Sequence, residues 1–502
     1  MKTLSYQTLQ ETGYGGYLLK DAPERVIQFG DGNFLRAFVD DFIDRMNEAA
    51  WFNAKVVMVQ PRAPHAASAQ RKQALNEQEG LYTLYLRGFE NGEKVNTKRV
   101  ISCISRCLNA YTDYEAVMAC ADNPDLRFIV SNTTEAGIIF DPACRLEDAP
   151  PATYPAKLTA FLYRRFQKFG AQEGKGFIIL PCELIDDNGA ALAHCVMEYA
   201  RLWGVGAAFE AWLKAENCFC STLVDRIVTG WPHAEADALH EENGYIDCTL
   251  NTGEVFAFWA IEGPQALEKE LPFKRAGLPI LLTDNCKPYK QRKVRILNGA
   301  HTAMVLGAYL AGQNIVRACM DDTVIRGFME QAVYGEIIPT LDLPEEELRG
   351  FAHAVAERFQ NPFIDHALLS IALNSTSKWK ERVMPSLLAY VEQYHKLPKC
   401  LAASLAFYAA FYQGIRLEED GLIGIRGENE YTIRDERPVL EFFATHKDDA
   451  PAAYAHAVLS NAAFWGRDLT AVPGLEAVVE GYLKQIQARG AYAVMEGLQS
   501  CS

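Results

Sequence analysis

Long apolar runs are missing from this chain of 502 residues. The most apolar one, CLAASLAFYAAFY at 400–412, falls short of the roughly 20 residues that span a bilayer and reads as a buried helix. The opening MKTLSYQTLQETGYGGYLL has no continuous apolar core, so no secretory signal is expected. Positive charge is also scarce: 49 Lys and Arg stand against 64 Asp and Glu, a formal net charge of −15. A diffuse negative field argues against nucleic acid or an anionic membrane as partner, and an anionic substrate would need a local cationic patch. Thirteen cysteines are scattered, and the close pairs Cys103/Cys107 and Cys218/Cys220 lack C-x-x-C spacing and a nearby histidine to complete a zinc set, so the chain is expected to hold no metal. Free, mostly buried thiols in a reducing cytoplasm are the expectation. Repeats and low-complexity segments are absent.

What is present begins with alternation. RVIQFG (25–30), AKVVMVQ (54–60), LRFIVSN (126–132) and GFIILPC (176–182) are near-continuous apolar runs, as in strands buried on both faces of a parallel sheet. Helical patterns at 34–49 and 157–168 lie between them, giving an α/β arrangement. After about residue 285 strand signals nearly vanish and helical stretches follow at 296–311, 322–334, 345–358, 400–415 and 475–489. Two domains are therefore expected: an α/β, Rossmann-like dinucleotide-binding domain over 1–285, and a mostly α-helical substrate and catalytic domain over 286–502.

RVIQFGDGNFLRAF turns through Gly30-Asp31-Gly32 between a strand and a helix. Two glycines permit a tight turn and close backbone approach, and the following helix offers amides to a pyrophosphate. Leu35 stands where G-x-G-x-x-G has its third glycine, and an ordinary strand-to-helix turn is the plain alternative. At the end of the second strand Gln60-Pro61-Arg62 replaces the carboxylate that would hold an adenosine ribose, so these residues alone leave NAD and NADP open. Ser131 and Thr133, in SNTTEAG after the third strand, are small hydroxyl residues placed to approach a cofactor.

KVRILNGAH (293–301) lines up Lys293, Asn298 and His301 just past the domain join, where ligand sites are common. Oxidising a secondary alcohol needs a base, and a lysine serves when burial depresses its pKa; an amide and an imidazole can hold the reacting oxygen. On an α-helix starting near Lys293, Asn298 and His301 lie about 60° apart, whereas Lys293 stands about 140° from Asn298. The trio does not share a narrow face on that reading. Nearby, Lys290, Arg292 and Arg295 with Lys293 make a basic run, and NSTSKWKER adds Lys378 and Arg382. A carboxylate or phosphate on the substrate accounts for them, as does a solvated face.

Taken together, FGDGNFLRAF, K-x-x-x-x-N-x-x-H, LVDRI (223–227) and NSTSKWKERVMPSL resemble the mannitol dehydrogenase family, the polyol-specific long-chain dehydrogenases. The resemblance implies a metal-independent enzyme using NAD, with Lys293 as general acid and base and Asn298 and His301 on the reacting oxygen. It implies a dinucleotide turn of Val26, Ile27, Gln28 and Phe29 from the strand, Gly30, Asp31 and Gly32 from the loop, and Asn33, Phe34, Leu35, Arg36 and Ala37 beyond. Departures matter. Glu183 and Leu184 replace the aspartate and asparagine of that family's C-D-N segment, and Lys290 stands where neutral-polyol enzymes tend to carry a carboxylate. Both point to a small sugar acid, a uronate or its aldonate, as substrate, read by some of Lys290, Arg292, Arg295 and Lys378.

Overall fold

The computed structural model describes residues 1–134 and 136–499. The chain divides into two compact units: Met1–Arg87 with Lys94–Cys286, and Gly88–Glu93 with Lys287 onward.

The first unit is built on six parallel strands: β1 (Glu24–Phe29), β2 (Lys55–Gln60), β3 (Ile104–Asn109), β4 (Phe128–Ser131), β5 (Ile178–Pro181) and β6 (Cys218–Phe219). They lie in the order β3-β2-β1-β4-β5-β6. Apolar residues of both parities are buried, because each face carries its own core. Val26, Val56, Met58 and Val130 face one core; Ile27, Phe29, Val57, Val59 and Ile129 face the other. The order reverses between β1 and β4, so their carboxyl ends open a crevice where ligands of such sheets bind. Phe29 is in register with Ser131 at that point. The chain here is a doubly wound, Rossmann-type sheet.

Two details depart from the sequence reading. The single helix expected over 34–49 is two, α1 (Asn33–Arg36) and α2 (Val39–Ala50), broken at Phe38 (φ −129°, ψ −77°). Side chains from elsewhere capture the carbonyls at the break: the Tyr82 hydroxyl donates to Arg36 O at 2.6 Å and Arg226 Nη1 donates to Ala37 O at 2.5 Å. Smaller sheets were also not foreseen, among them a three-stranded one of Thr222–Asp225, Phe258–Glu262 and Ile280–Thr283.

The second unit is mainly helical, as the pattern after residue 285 indicated. Two of its helices, α4 (Gly299–Leu310) and α5 (Lys399–Tyr412), are buried over nearly their whole length, which is why α5 is apolar all round. Ahead of α4 come α3 (Lys287–Arg292) and a π-helical turn, Lys293–Asn298. The last helix, α6 (Leu475–Gln499), runs past the expected end at 489 by kinking at Gly490, whose φ of 83° suits a residue without Cβ. The expectation that strands nearly vanish is corrected by an antiparallel three-stranded sheet of Arg416–Leu417, Leu422–Arg426 and Asn429–Ile433. Its tight turn runs through Gly427 (φ 62°), and its short, charge-bearing strands gave little apolar signal. No helix among the described residues is long and apolar enough to cross a membrane.

Candidate active site

The turn after β1 is held by a polar frame. Gly30 has a φ of 142°, and a Cβ there would stand 2.9 Å from Leu35 Cδ1 and 3.4 Å from the Asn132 carbonyl. Gly32 differs: nothing lies within 4 Å of where its Cβ would be. Of the residues expected to form the turn, Gly32 and Asn33 are exposed and Asp31 and Phe34 half-buried. Val26, Ile27, Phe29, Leu35 and Ala37 are core residues. Buried Gln28 donates to the Gly30 carbonyl at 3.0 Å, bracing the loop from below. Arg36 is buried as well; it donates to Asn33 Oδ1 (2.7 Å) and the Thr249 carbonyl, and its guanidinium lies over the Tyr82 ring. Arg226, in the LVDRI segment, pairs with buried Asp41 at 3.0 Å while holding Ala37. Both arginines thus shape the turn by supporting its backbone.

At the neighbouring strand end, Glu183 organises the β4 loop. Its carboxylate accepts from Ser131 Oγ (3.1 Å) and from the Thr133 amide and hydroxyl (both 2.9 Å). Burial raises its pKa, opposed by those hydrogen bonds. Ser131 and Thr133 are therefore buried at the end of β4 with their hydroxyls turned to Glu183, and Leu184 beside it is exposed. At the end of β2, Gln60 Nε2 donates to Asp31 at 2.8 Å and Arg71 pairs with the same carboxylate at 2.9 Å. These side chains fit a dinucleotide turn: bare backbone at Gly32, a carboxylate and an amide locked beside it, and a parallel sheet reversing direction underneath.

In the second unit, the π turn changes the geometry of the lysine, the asparagine and the histidine. An α-helical count sets Lys293 and Asn298 about 140° apart. A π-helix closes i→i+5, so a residue five positions on returns to nearly the same side. Asn298 thus follows one turn above Lys293, with His301 in the first turn of α4. The helix also begins at Lys287, six residues earlier than assumed. Gly299, at the π-to-α junction, lets another backbone come close: its Cβ would lie 3.1 Å from the Arg382 carbonyl.

His301 is buried and stacks on Phe359, with ring centroids 3.9 Å apart at 12°. His366 stands edge-on to it at 5.6 Å. Burial, then the charges of His366, Arg358, Arg382 and Lys378, hold the imidazole pKa well below its ordinary value, so it is neutral. Its Nε2 has no hydrogen-bond partner, and neither has the neighbouring Thr302 hydroxyl. A buried imidazole nitrogen without a partner is costly unless a ligand satisfies it.

The expected cations fall into different surroundings. Arg292 is buried, ion-paired with Glu347 and stacked over Phe351. Arg295 donates to Ser386 Oγ at 3.0 Å, and burial lowers its pKa. Lys290 is half-buried, which lowers its pKa too. Lys378 donates to the Ile371 carbonyl at 2.8 Å; burial and the Arg382 charge lower its pKa. Arg358 and His366 escaped the sequence reading: one ends a helix and the other sits in a loop, each more than fifty residues from His301 in the chain. Only the NSTSKWKER segment carried a visible signal, through Lys378 and Arg382. Among the described residues no group of three or more His, Cys, Asp or Glu could hold a metal ion.

Comparison with known proteins agrees with this geometry. The mannitol dehydrogenase Rossmann domain matches residues 24–275, and the mannitol dehydrogenase C-terminal domain matches 285–487. Altronate oxidoreductase from Yersinia enterocolitica is 45% identical over 496 residues, covering 97% of this chain and 99% of that protein. The protein of the same name from Cronobacter sakazakii is 46% identical over 499 residues, covering 96% and 98%. Among solved structures, a D-sorbitol dehydrogenase in substrate-free form has a TM-score of 0.79 at 22% identity, covering 99% of this chain and all of that one. Pseudomonas fluorescens mannitol 2-dehydrogenase, solved with NAD and D-mannitol, has a TM-score of 0.68 at 24% identity, with both chains fully covered. The chain belongs to the mannitol dehydrogenase family and is an oxidoreductase acting on a CH–OH group.

Proposed function

We propose that this protein is an NAD-dependent oxidoreductase interconverting D-altronate and D-tagaturonate in hexuronate catabolism. The observation that carries the reading is neutral His301, its Nε2 unpartnered, set among Lys378, Arg382 and Arg358 beside the Lys293–Asn298 turn. A carbonyl needs the uncharged donors; a carboxylate needs the cations. Identity of 45% over nearly the full length to proteins named altronate oxidoreductase supports the same substrate. The cofactor reading rests on the Gly30–Gly32 turn at the sheet's switch point and on family membership.

In the oxidative direction the C–H bond of the carbinol breaks as hydride while the O–H proton passes to the Lys293 amine and the C=O bond forms. The dinucleotide, when bound, supplies the hydride acceptor. Asn298 Nδ2 and His301 Nε2–H donate to the oxygen, and both bonds strengthen as negative charge builds on it. A neutral imidazole is required there, because an imidazolium would compete as proton donor with Lys293. In the reductive direction the same lysine returns the proton. Lys378 is the cation of the expected set that bears on His301, whereas Arg292 is paired with Glu347 and Arg295 donates to Ser386.

The test is NADH oxidation, followed by absorbance, with tagaturonate, fructuronate and fructose offered separately. Tagaturonate is expected to give the highest kcat/KM, and Lys293→Ala to lower turnover by about 10²–10⁴-fold, the usual worth of a general acid or base. Preference for fructose would remove the uronate reading. Turnover undiminished in Lys293→Ala would remove the lysine from the mechanism.

A further inference from the structure

A substrate with an anionic end must be held by donors that the fold has left unspent, and the cations of the second unit differ in this respect. Arg292 is spent on Glu347, Arg295 donates to Ser386, and Lys378 has given one of its three donors to Ile371 O. Arg382 is different. Its guanidinium is half-buried, which lowers its pKa, yet among the described residues it makes no hydrogen bond or ion pair and no carboxylate bears on it. The His366 ring is likewise half-buried and without a hydrogen bond, and it stands edge-on to His301 at 5.6 Å. Arg382 is held beside the catalytic turn by its own backbone, since its carbonyl packs where Gly299 lacks a side chain. Leaving a guanidinium's five donors unmade in a half-buried place is unfavourable in the free protein and becomes useful when an oxyanion arrives.

We propose that Arg382 and His366 form the carboxylate-reading subsite, Arg382 engaging both carboxylate oxygens and His366 donating to one of them, with Lys378 as the supporting charge. The inference rests on the uronate reading above and extends it: Lys293, Asn298 and His301 act on the carbonyl end of the substrate, and Arg382 with His366 select a six-carbon acid over a neutral ketose. A planar guanidinium matches a carboxylate bidentately, whereas an ammonium offers only a point charge. Replacing Arg382 by lysine therefore restores charge without the fork.

The experiment compares wild type, Arg382→Gln, Arg382→Lys and His366→Gln, with Lys380→Met as control; Lys380 lies on the same helix but packs against Gly466. Melting temperatures establish folding. Steady-state kinetics with tagaturonate and fructose, and calorimetric titration with D-altronate and D-gluconate, supply the readouts. Expected for Arg382→Gln is a tagaturonate KM raised about 100-fold with kcat nearly retained, so that the acid-to-neutral ratio of kcat/KM collapses. Arg382→Lys recovers part of the loss, His366→Gln loses about tenfold, and Lys380→Met changes nothing. Equal losses on both substrates, or aldonate binding unaltered in Arg382→Gln, would overturn the proposal. Failure of any aldonate to bind the wild type would overturn it too. Wild type that binds aldonates through Arg382 but reduces no uronate would remove the proposed function and leave this subsite standing.

Discussion

Burial sets the chemistry of single residues here. His301 is neutral because water is excluded and because four cationic or titratable neighbours, His366, Arg358, Arg382 and Lys378, oppose a further positive charge. That has a consequence for stability. The unfolded chain binds a proton at this imidazole near its ordinary pKa of about 6.5, while the folded protein does not. Below that value the unfolded state holds more protons, so stability falls as pH drops through about 6.5 and goes on falling toward the depressed folded value. At most about 1.4 kcal/mol is lost per pH unit. His301→Asn removes this proton, so the variant's melting temperature is expected to fall less than that of wild type between pH 7.5 and 5. Parallel curves would show that His301 is protonated alike in both states.

At the scale of elements, turns shape the candidate site. The loop after β1 uses two glycines for different reasons, and substitution separates them. Gly30→Ala places a Cβ at a positive φ and within 2.9 Å of Leu35, so roughly 1–3 kcal/mol of stability should be lost. Gly32→Ala meets open space, so the melting temperature is expected to hold while the KM for NADH rises if, as proposed, the dinucleotide backbone passes this turn. An unchanged KM in a well-folded Gly32→Ala would move the cofactor away from this loop. The glycine turn was legible because its cause is local. Two other elements were not. The break between α1 and α2 depends on Tyr82 and Arg226, the latter nearly 190 positions away, capturing carbonyls that an α-helix would otherwise use. The π turn at 293–298 has no signature in KVRILN, a sequence that fits an α-helix equally well.

For the whole molecule, two units with separate cores predict unfolding that is not two-state. A ligand that binds one folded unit raises the midpoint of that unit alone. NADH at a hundred times its dissociation constant adds about 2.7 kcal/mol, which at this size moves one calorimetric transition by roughly 5–10 °C and leaves a second in place. A single transition shifting as a whole would mean that the units unfold together. The net charge of −15 matters at this scale as well: an anionic substrate of the kind proposed would be attracted only locally, where Lys378, Arg382 and Arg358 gather.

The sequence by itself determined the architecture and offered the candidate groups. Doubly buried apolar strands need helices on both faces, a G-D-G between strand and helix makes a tight exposed turn, and a helix apolar all round, such as α5, must be central. Those are short-range causes, written within a dozen residues. Tertiary structure alone decided how the groups stand to one another: that a π turn sets Asn298 above Lys293, that Glu183 gathers Ser131 and Thr133, and that Arg292 faces Glu347 while Arg382 keeps its donors unspent. Each depends on a partner distant in the chain or on a helical pitch that side-chain spacing does not encode, and such pairings form only when the core brings the elements together.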